Sequence, residues 1–514
     1  MTPLTDASLT TSTQVPSPGL SDEEVLDPNG QDMSTADTPD RQVHGPAYYE
    51  RQLGESEVSY YLQSRATGVN DMYLHLGFRS PMRLVLRPRV RAAWAILRMR
   101  HPLLASHIVM ANYDDIKFVF RPPTSPEDAL AGADSELDYR HQNKDALIDS
   151  YLNGPRTLNN ERLSYLVVSH TPTLDIQLPT PPLTPRISPD VSADQAAHLT
   201  SDDRVFNHEL LICAGHFIGD GMALHQFAND FFGLLGSAFS QEELDQLVAD
   251  EWKQRWSQTL PSDTPAIPAS VEDNWGTEHH RFRRAAGIID FQNNLDKQIG
   301  GQAFPRKKDP IRRTVVPTTS FGEDLTKAMI KKCKSQGVSI SSAMFAICNI
   351  AWARTGRGKQ ELPMMMYAPI NIRPYLPKPT GDSYWFLSVG YFNIIFPNFI
   401  PASCDVSKTF WLRARSAKAQ SSRVAKNPMI IPRSREMAIK RGKQARLWAK
   451  EDDEKEAGVW HAKFPDIKLH TLTTGSRQRH GAMLILGYDE NGFERDTVDL
   501  FWKNVDAAIR EFLI

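Results

Sequence analysis

The sequence predicts an α+β protein built in two halves, and three observations carry that expectation. Apolar runs with strand character and stripes with helical spacing alternate irregularly, which favours mixed sheets backed by helices over a doubly wound parallel sheet. A length of 514 residues exceeds what one ordinary core fills and points to two or three units. Residues 261–312, with several prolines and the basic Arg306-Lys307-Lys308 cluster, read as a crossover between an N-terminal half, 45–260, and a C-terminal half, 313–514.

Residues 1–44 are rich in Ser, Thr, Pro, Asp and Gly and poor in large apolar side chains, the composition of a disordered tail. Folded character begins at Tyr48-Tyr49. Val90, Ala93, Trp94 and Leu97 then form an apolar helical stripe, which Pro102 stops within Arg100-His101-Pro102-Leu103-Leu104. Ile116–Phe120 reads as a strand. Between His170 and Asp203 lies a soft segment centred on Pro-Thr-Pro-Pro-Leu-Thr-Pro, expected to be a surface insertion. Val205–Cys213 is a strand that ends in an apolar run, and Leu224, Phe227, Phe231 and Leu235 recur at helical spacing beyond it.

The second half opens with a helix over 324–336, closed by Gly337. The uniformly apolar Ala343–Ala353 predicts a buried helix, capped by Ser341 or Ser342. Strands are expected at Met364–Pro369, Phe386–Phe396 and near Met483–Tyr488; Met364-Met365-Met366 reads as core. A final helix, capped by Asp496, carries Val498, Phe501, Trp502, Val505, Ile509 and Phe512 on one stripe.

Composition removes several functions. Lys and Arg total 59 against 61 Asp and Glu, so the net charge of −2 leaves no electrostatic footprint for nucleic acid or a membrane surface. Cys213, Cys333, Cys348 and Cys404 show no C-x-x-C spacing, which argues against a zinc site, and no metal is expected; nor do they suggest a disulfide framework. No apolar run approaches the ~20 residues of a membrane span, and no signal-peptide pattern opens the chain. A cytoplasmic monomer acting on small, weakly charged molecules is the expectation.

The chemistry concentrates in Cys213-Ala214-Gly215-His216-Phe217-Ile218-Gly219-Asp220-Gly221, where one imidazole precedes an Asp-Gly pair by four residues. A strand before it and a helix after it would hold the imidazole rigidly, as a catalytic base requires. His216 is the candidate general base, since a neutral imidazole with an ordinary pKa of ~6.5 takes a proton near working pH. Asp220 joins it as a catalytic candidate, although four residues away across a tight turn it is expected to point aside. No Gly-x-Ser-x-Gly elbow supports hydrolase chemistry.

The segment resembles the His-x-x-x-Asp-Gly acyltransferase superfamily, which includes BAHD acyltransferases, condensation domains of peptide synthetases and fungal O-acetyltransferases. Arg100-His101-Pro102-Leu103-Leu104, and Pro369-Ile370-Asn371-Ile372-Arg373-Pro374-Tyr375-Leu376 followed by Gly390-Tyr391-Phe392-Asn393, are similar to further segments of that superfamily in the same order. The chain has Gly215 where condensation domains carry a second histidine, and it lacks the Asp-Phe-Gly-Trp-Gly string of BAHD enzymes. The likeness is therefore nearest to fungal trichothecene-type O-acetyltransferases. It implies two chloramphenicol-acetyltransferase-like lobes with a tunnel between them, and acetyl-CoA or another acyl-CoA as cosubstrate. A hydroxyl of a hydrophobic terpenoid or polyketide would be the acceptor. It also implies an ion pair of Asp220 with Arg373, a motif role for Asn371, and room beside Gly221 for the pantetheine arm. Ser388, Tyr391 and Asn393 become candidate oxyanion or substrate contacts. Arg306, Lys307 and Lys308, or Arg477 and Arg479, are phosphate candidates on charge alone, with a solvated surface the plainer reading. His225, Asp230 and His279-His280 are expected at the surface. The alternatives are a condensation-type enzyme fed by a carrier protein, favoured by an attached carrier domain, and a non-catalytic binding protein, favoured by loss of the motif residues.

Overall fold

The Val205–Gly215 strand anchors the architecture. Its outer end is exposed, whereas the residues from Leu210 to Gly215 are all buried, so the strand runs from solvent into the core. The computed structural model describes residues 48–170, 205–258, 265–275, 281–307, 312–377, 381–402, 405–459 and 488–514. The expected tail and soft insertion, the strand residues 483–487, His279-His280, Lys308, Cys404, Arg477 and Arg479 lie outside them.

Val205–Gly215 pairs antiparallel with Asp71–Pro81 along its whole length, from Asp71 opposite Gly215 to Pro81 opposite Val205. On its other side it pairs antiparallel with Ser164–His170, which is parallel to Leu137–Arg140, giving a mixed four-stranded sheet. Helix Arg87–Arg100 is packed in the core: Val90, Ala93, Trp94 and Leu97 are all fully buried, and the helix stops at His101 because Pro102 follows. A smaller antiparallel sheet of Tyr49–Gln52, Ile116–Phe120 and His107–Met110 joins the same core.

In the second half Met364–Asn371 and Val389–Phe396 form an antiparallel pair. Helices Ile340–Arg354, Val406–Ala425 and Arg495–Leu513 close a second core around Ile347, Ile350, Phe410, Phe501 and Phe512. Pro46–Ile514 form one unit, within which these two cores are distinct. This is the expected α+β arrangement of mixed sheets and helices.

Several boundaries differ from expectation. The cap of Ile340–Arg354 is Ser339, whose side chain accepts from the Ser342 N–H, rather than Ser341 or Ser342. Gly337 has φ +69°, so the chain reverses sharply and Ser339 is already extended when the new helix begins. The final helix starts at Arg495, which puts Asp496 inside its first turn and Glu494 at the cap position. The stretch expected as a crossover contains a four-turn helix, Arg281–Asp296.

Helix Ile430–Glu456, 27 residues long, carries no periodicity that signals it. Its buried positions are Ile430, Ala438, Gly442, Ala445 and Ala449, and the last four are small residues that let it approach helix Glu55–Ser64 closely. A Cβ at Gly442 would overlap the Glu55 carboxylate, and Arg446 pairs with that carboxylate at 2.7 Å. Among the described residues no helix is long and apolar enough to cross a membrane, and no group of three His, Cys, Asp or Glu side chains is placed to hold a metal ion.

Candidate functional site

His216 sits where the buried end of the strand becomes a tight turn, closed by the Ile218 N–H donating to the Gly215 carbonyl at 3.1 Å. The turn delivers the chain to helix Gly221–Leu235, whose N-cap is Asp220. The carboxylate of Asp220 accepts from the N–H groups of Met222 (3.0 Å) and Ala223 (3.2 Å). A sheet strand and a capped helix thus fix the imidazole from both sides.

Nδ1 of His216 lies 3.0 Å from the Gly219 carbonyl oxygen. A carbonyl only accepts, so Nδ1 carries the hydrogen and Nε2 is left as the basic nitrogen. Burial pushes the His216 pKa below the ordinary histidine value, with Arg441 adding to the effect; hydrogen bonding and Asp220 oppose it without reversing it. The Tyr60 ring packs 4.4 Å from the imidazole, centroid to centroid.

Asp220, 2% exposed, makes no hydrogen bond to His216. Besides capping its helix, it takes both oxygens to Arg373 Nη1, at 3.0 and 2.7 Å, and accepts from the Ser388 N–H at 3.0 Å. Asp220 therefore points aside from the imidazole, its lone pairs taken by the helix and by the other half of the chain. Arg373 Nη2 donates onward to the carbonyls of Tyr384 (3.1 Å) and Phe386 (2.6 Å), and Asn371 Oδ1 accepts from the Arg373 N–H at 3.0 Å. Asn371 therefore shapes the turn that presents Arg373.

The segment held this way, Tyr384–Leu387, enters the first core. Trp385 is fully buried against Gly219, where a Cβ would stand 2.7 Å from the indole ring. Asp230, expected as a surface residue on the motif helix, instead accepts from the Tyr384 hydroxyl at 2.8 Å and ties the same two segments together. His225 is exposed, as expected. Gly221 faces open space: a Cβ at that position would meet nothing within 4 Å.

The three oxyanion candidates fall in two places. Ser388 is fully buried beside Asp220, and its Oγ has no hydrogen-bond partner among the described residues. Tyr391 stacks on Tyr367 at 4.6 Å, and Asn393 donates its amide to Gln298 at 2.6 Å; both line a pocket with Tyr60, Gln298 and Arg441. Of the basic cluster, Arg306 and Lys307 are exposed, and the Arg306 guanidinium lies 5.8 Å from the Phe493 ring. Met366 is buried and Met364 and Met365 half-buried along their strand.

Tyr60, Trp385 and Arg441 do not stand out in the sequence. Tyr60 reads as an ordinary helix-core aromatic and Arg441 sits in the charged run Lys440-Arg441-Gly442-Lys443, so neither carries a local signal.

No protein-family model matches the chain. The structure is similar to that of TRI3 trichothecene 15-O-acetyltransferase from Fusarium sporotrichioides, with a TM-score of 0.61 at 12% identity, covering 91% of this chain and 96% of that one. The SgcC5 protein from Streptomyces globisporus superposes at a TM-score of 0.46 and 14% identity, covering 90% of this chain and 99% of that one. In sequence, the chain is 23% identical over 199 residues to the acetyltransferase pigO of Monascus ruber. That match spans 37% of this chain and 39% of the relative's length. The fold of the chain is thus the one seen in the trichothecene acetyltransferase.

Proposed function

We propose that this protein is a coenzyme A-dependent O-acyltransferase, most simply an acetyltransferase, that acylates a hydroxyl of a hydrophobic secondary metabolite. The observation that carries the proposal is the His216 imidazole, held by the Gly219 carbonyl at Nδ1 with Nε2 left basic, at the junction where Asp220 and Arg373 join the two halves. Likeness to the two named acetyltransferases supports the same reading.

In this mechanism the acceptor hydroxyl oxygen attacks the thioester carbonyl carbon as its proton passes to Nε2 of His216. The carbonyl π electrons move to oxygen, giving a tetrahedral oxyanion. Ser388 is the favoured stabiliser, because its hydroxyl is unspent whereas the Asn393 amide is already given to Gln298. Collapse re-forms the carbonyl and breaks the C–S bond, and the thiolate takes the proton back from His216. Nothing in the sequence requires the protein to carry the acyl group.

Condensation from a carrier protein is the second reading, and local packing weighs against it. A Cβ at Gly215 would stand 2.6 Å from the Phe217 ring, which is itself locked against Tyr61 and Phe118. A second histidine at that position would therefore force the Phe217 ring out of this packing. Buried Cys213 and Cys333 and half-buried Cys348 are all free thiols, consistent with the proposed cytoplasmic setting.

The test is incubation of the full chain with acetyl-CoA and longer acyl-CoA thioesters against hydroxylated terpenoids and polyketides, with mass detection. An acylated product that forms only with a hydroxyl acceptor is the expected result; binding without transfer for every pair would leave the protein as a non-catalytic binder.

A further inference from the structure

The pocket beside Tyr60 carries an unanswered positive charge. Among the described residues its only charged lining residues are Arg433 and Arg441, both on helix Ile430–Glu456, and no described carboxylate lines it. The charge of Arg433 is met by Asp290, with Nη2 to Oδ1 at 2.9 Å. Arg441 has no such partner: no described carboxylate lies within ion-pair distance. Instead its guanidinium carbon lies 5.0 Å from the Tyr60 ring and 4.8 Å from the Tyr391 ring, and its Nη1 is 3.4 Å from the Tyr367 hydroxyl. Burial raises the pKa of Tyr367 and Tyr391, so both phenols are neutral and hold the guanidinium in place without cancelling its charge.

An enclosed cation without a counter-charge is costly, and a ligand that brings one recovers that cost. The planar donor fork of arginine fits a carboxylate with two parallel hydrogen bonds. The position of Arg441 also says which substrate would bring it. Tyr60 touches both the guanidinium, at 5.0 Å, and the His216 imidazole, at 4.4 Å, so cation and base lie against one and the same ring. The phosphates of coenzyme A hang from the far end of an arm of two amide units and a thioethyl group, which spans more than one ring when extended. With the thioester at His216, an anion at Arg441 belongs to the acceptor.

We infer that Arg441 is a specificity-determining residue that binds a carboxylate on the hydroxyl acceptor, so that the substrate class is hydroxylated organic acids rather than neutral alcohols. This rests on the acyl-transfer reading for what happens next, but not for the binding itself. Aromatic faces of Tyr60, Tyr367 and Tyr391 around the guanidinium suit an acid with an apolar body.

Titration calorimetry of the full chain without any thioester tests it, using gibberellic acid, a hydroxylated diterpenoid acid, and its methyl ester as probes. The acid should bind about 10- to 100-fold more tightly than the ester, the range of a charge-assisted arginine contact. Arg441→Gln should remove the difference, and Arg441→Lys, which keeps the charge should the first variant misfold, should retain part of it. An acid that binds no more tightly than its ester overturns the inference. So does an Arg441→Gln variant that keeps the preference but raises KM for acetyl-CoA and not for the uncharged acetyl N-acetylcysteamine thioester, since the anion would then be the donor's phosphate. Arg441-dependent preference for the acid without product from any thioester upholds the site while removing the acyl-transfer reading.

Discussion

His216→Ala should lower kcat/KM by about 10²–10⁴-fold, the usual contribution of a positioned general base, with the fold retained. The substitution leaves the Gly219 carbonyl without its imidazole partner, a loss of about 1 kcal/mol, too small to explain an activity change of that size. The pH profile of the unsubstituted protein checks the same claim. Only the neutral imidazole accepts a proton, and burial holds the His216 pKa below the ordinary value. Activity should therefore be full at neutral pH, and the acid limb of kcat/KM should fall below ~6.5. A near-normal rate in the alanine variant removes His216 from the mechanism, and an acid limb at or above the ordinary histidine value contradicts the environment described for it.

The largest effect on stability is expected at the junction of the halves. Asp220 is 2% exposed and Arg373 20%, and truncating either to alanine leaves the other as an unpaired, largely buried charge, which costs about 3–5 kcal/mol. Removing both leaves no lone charge, so Asp220→Ala/Arg373→Ala should be destabilised by less than the sum of the single variants. Urea denaturation midpoints for the four proteins measure this coupling. Arg373→Lys should recover little, because one ammonium cannot reach Asp220 and the carbonyls of Tyr384 and Phe386 together. Additivity of the two single changes within about 0.5 kcal/mol would show that the contact contributes nothing as a pair. Both single variants should also lose activity, because Asp220 caps the helix that closes the His216 turn and pins Ser388 through its N–H.

The motif strand, its turn and its helix are legible because the apolar period changes from strand to helix across a run of glycines, a local signal that needs no knowledge of the rest of the chain. Pro102 and Gly337 punctuate the sequence for the same reason, each constraining its own backbone. Helix Ile430–Glu456 is hidden because its buried face beyond Ile430 is alanine and glycine while its other faces are largely charged, so no hydrophobic stripe marks it. Pairing of Asp220 with Arg373, 153 residues apart, has no local trace and is expected only through the resemblance of two segments to one superfamily. Contacts with no such resemblance behind them stay out of sight. The Tyr60 ring beside His216, the Trp385 ring against Gly219 and the hydroxyl of Tyr384 on Asp230 all depend on how segments far apart in the sequence come together.

Intact-protein mass measurement with parallel thiol detection tests the central claim most directly. The full chain is incubated with acetyl-CoA alone, and a hydroxyl acceptor that yields product is then added. In the proposed mechanism His216 activates the acceptor rather than taking the acyl group itself, so donor alone should leave the protein mass unchanged and release no free thiol. Addition of acceptor should release thiol in step with acylated product, and His216→Ala should abolish both. An acetyl adduct on the protein before acceptor is added, or transfer that proceeds only from a carrier-bound acyl group, would contradict direct transfer from coenzyme A at His216.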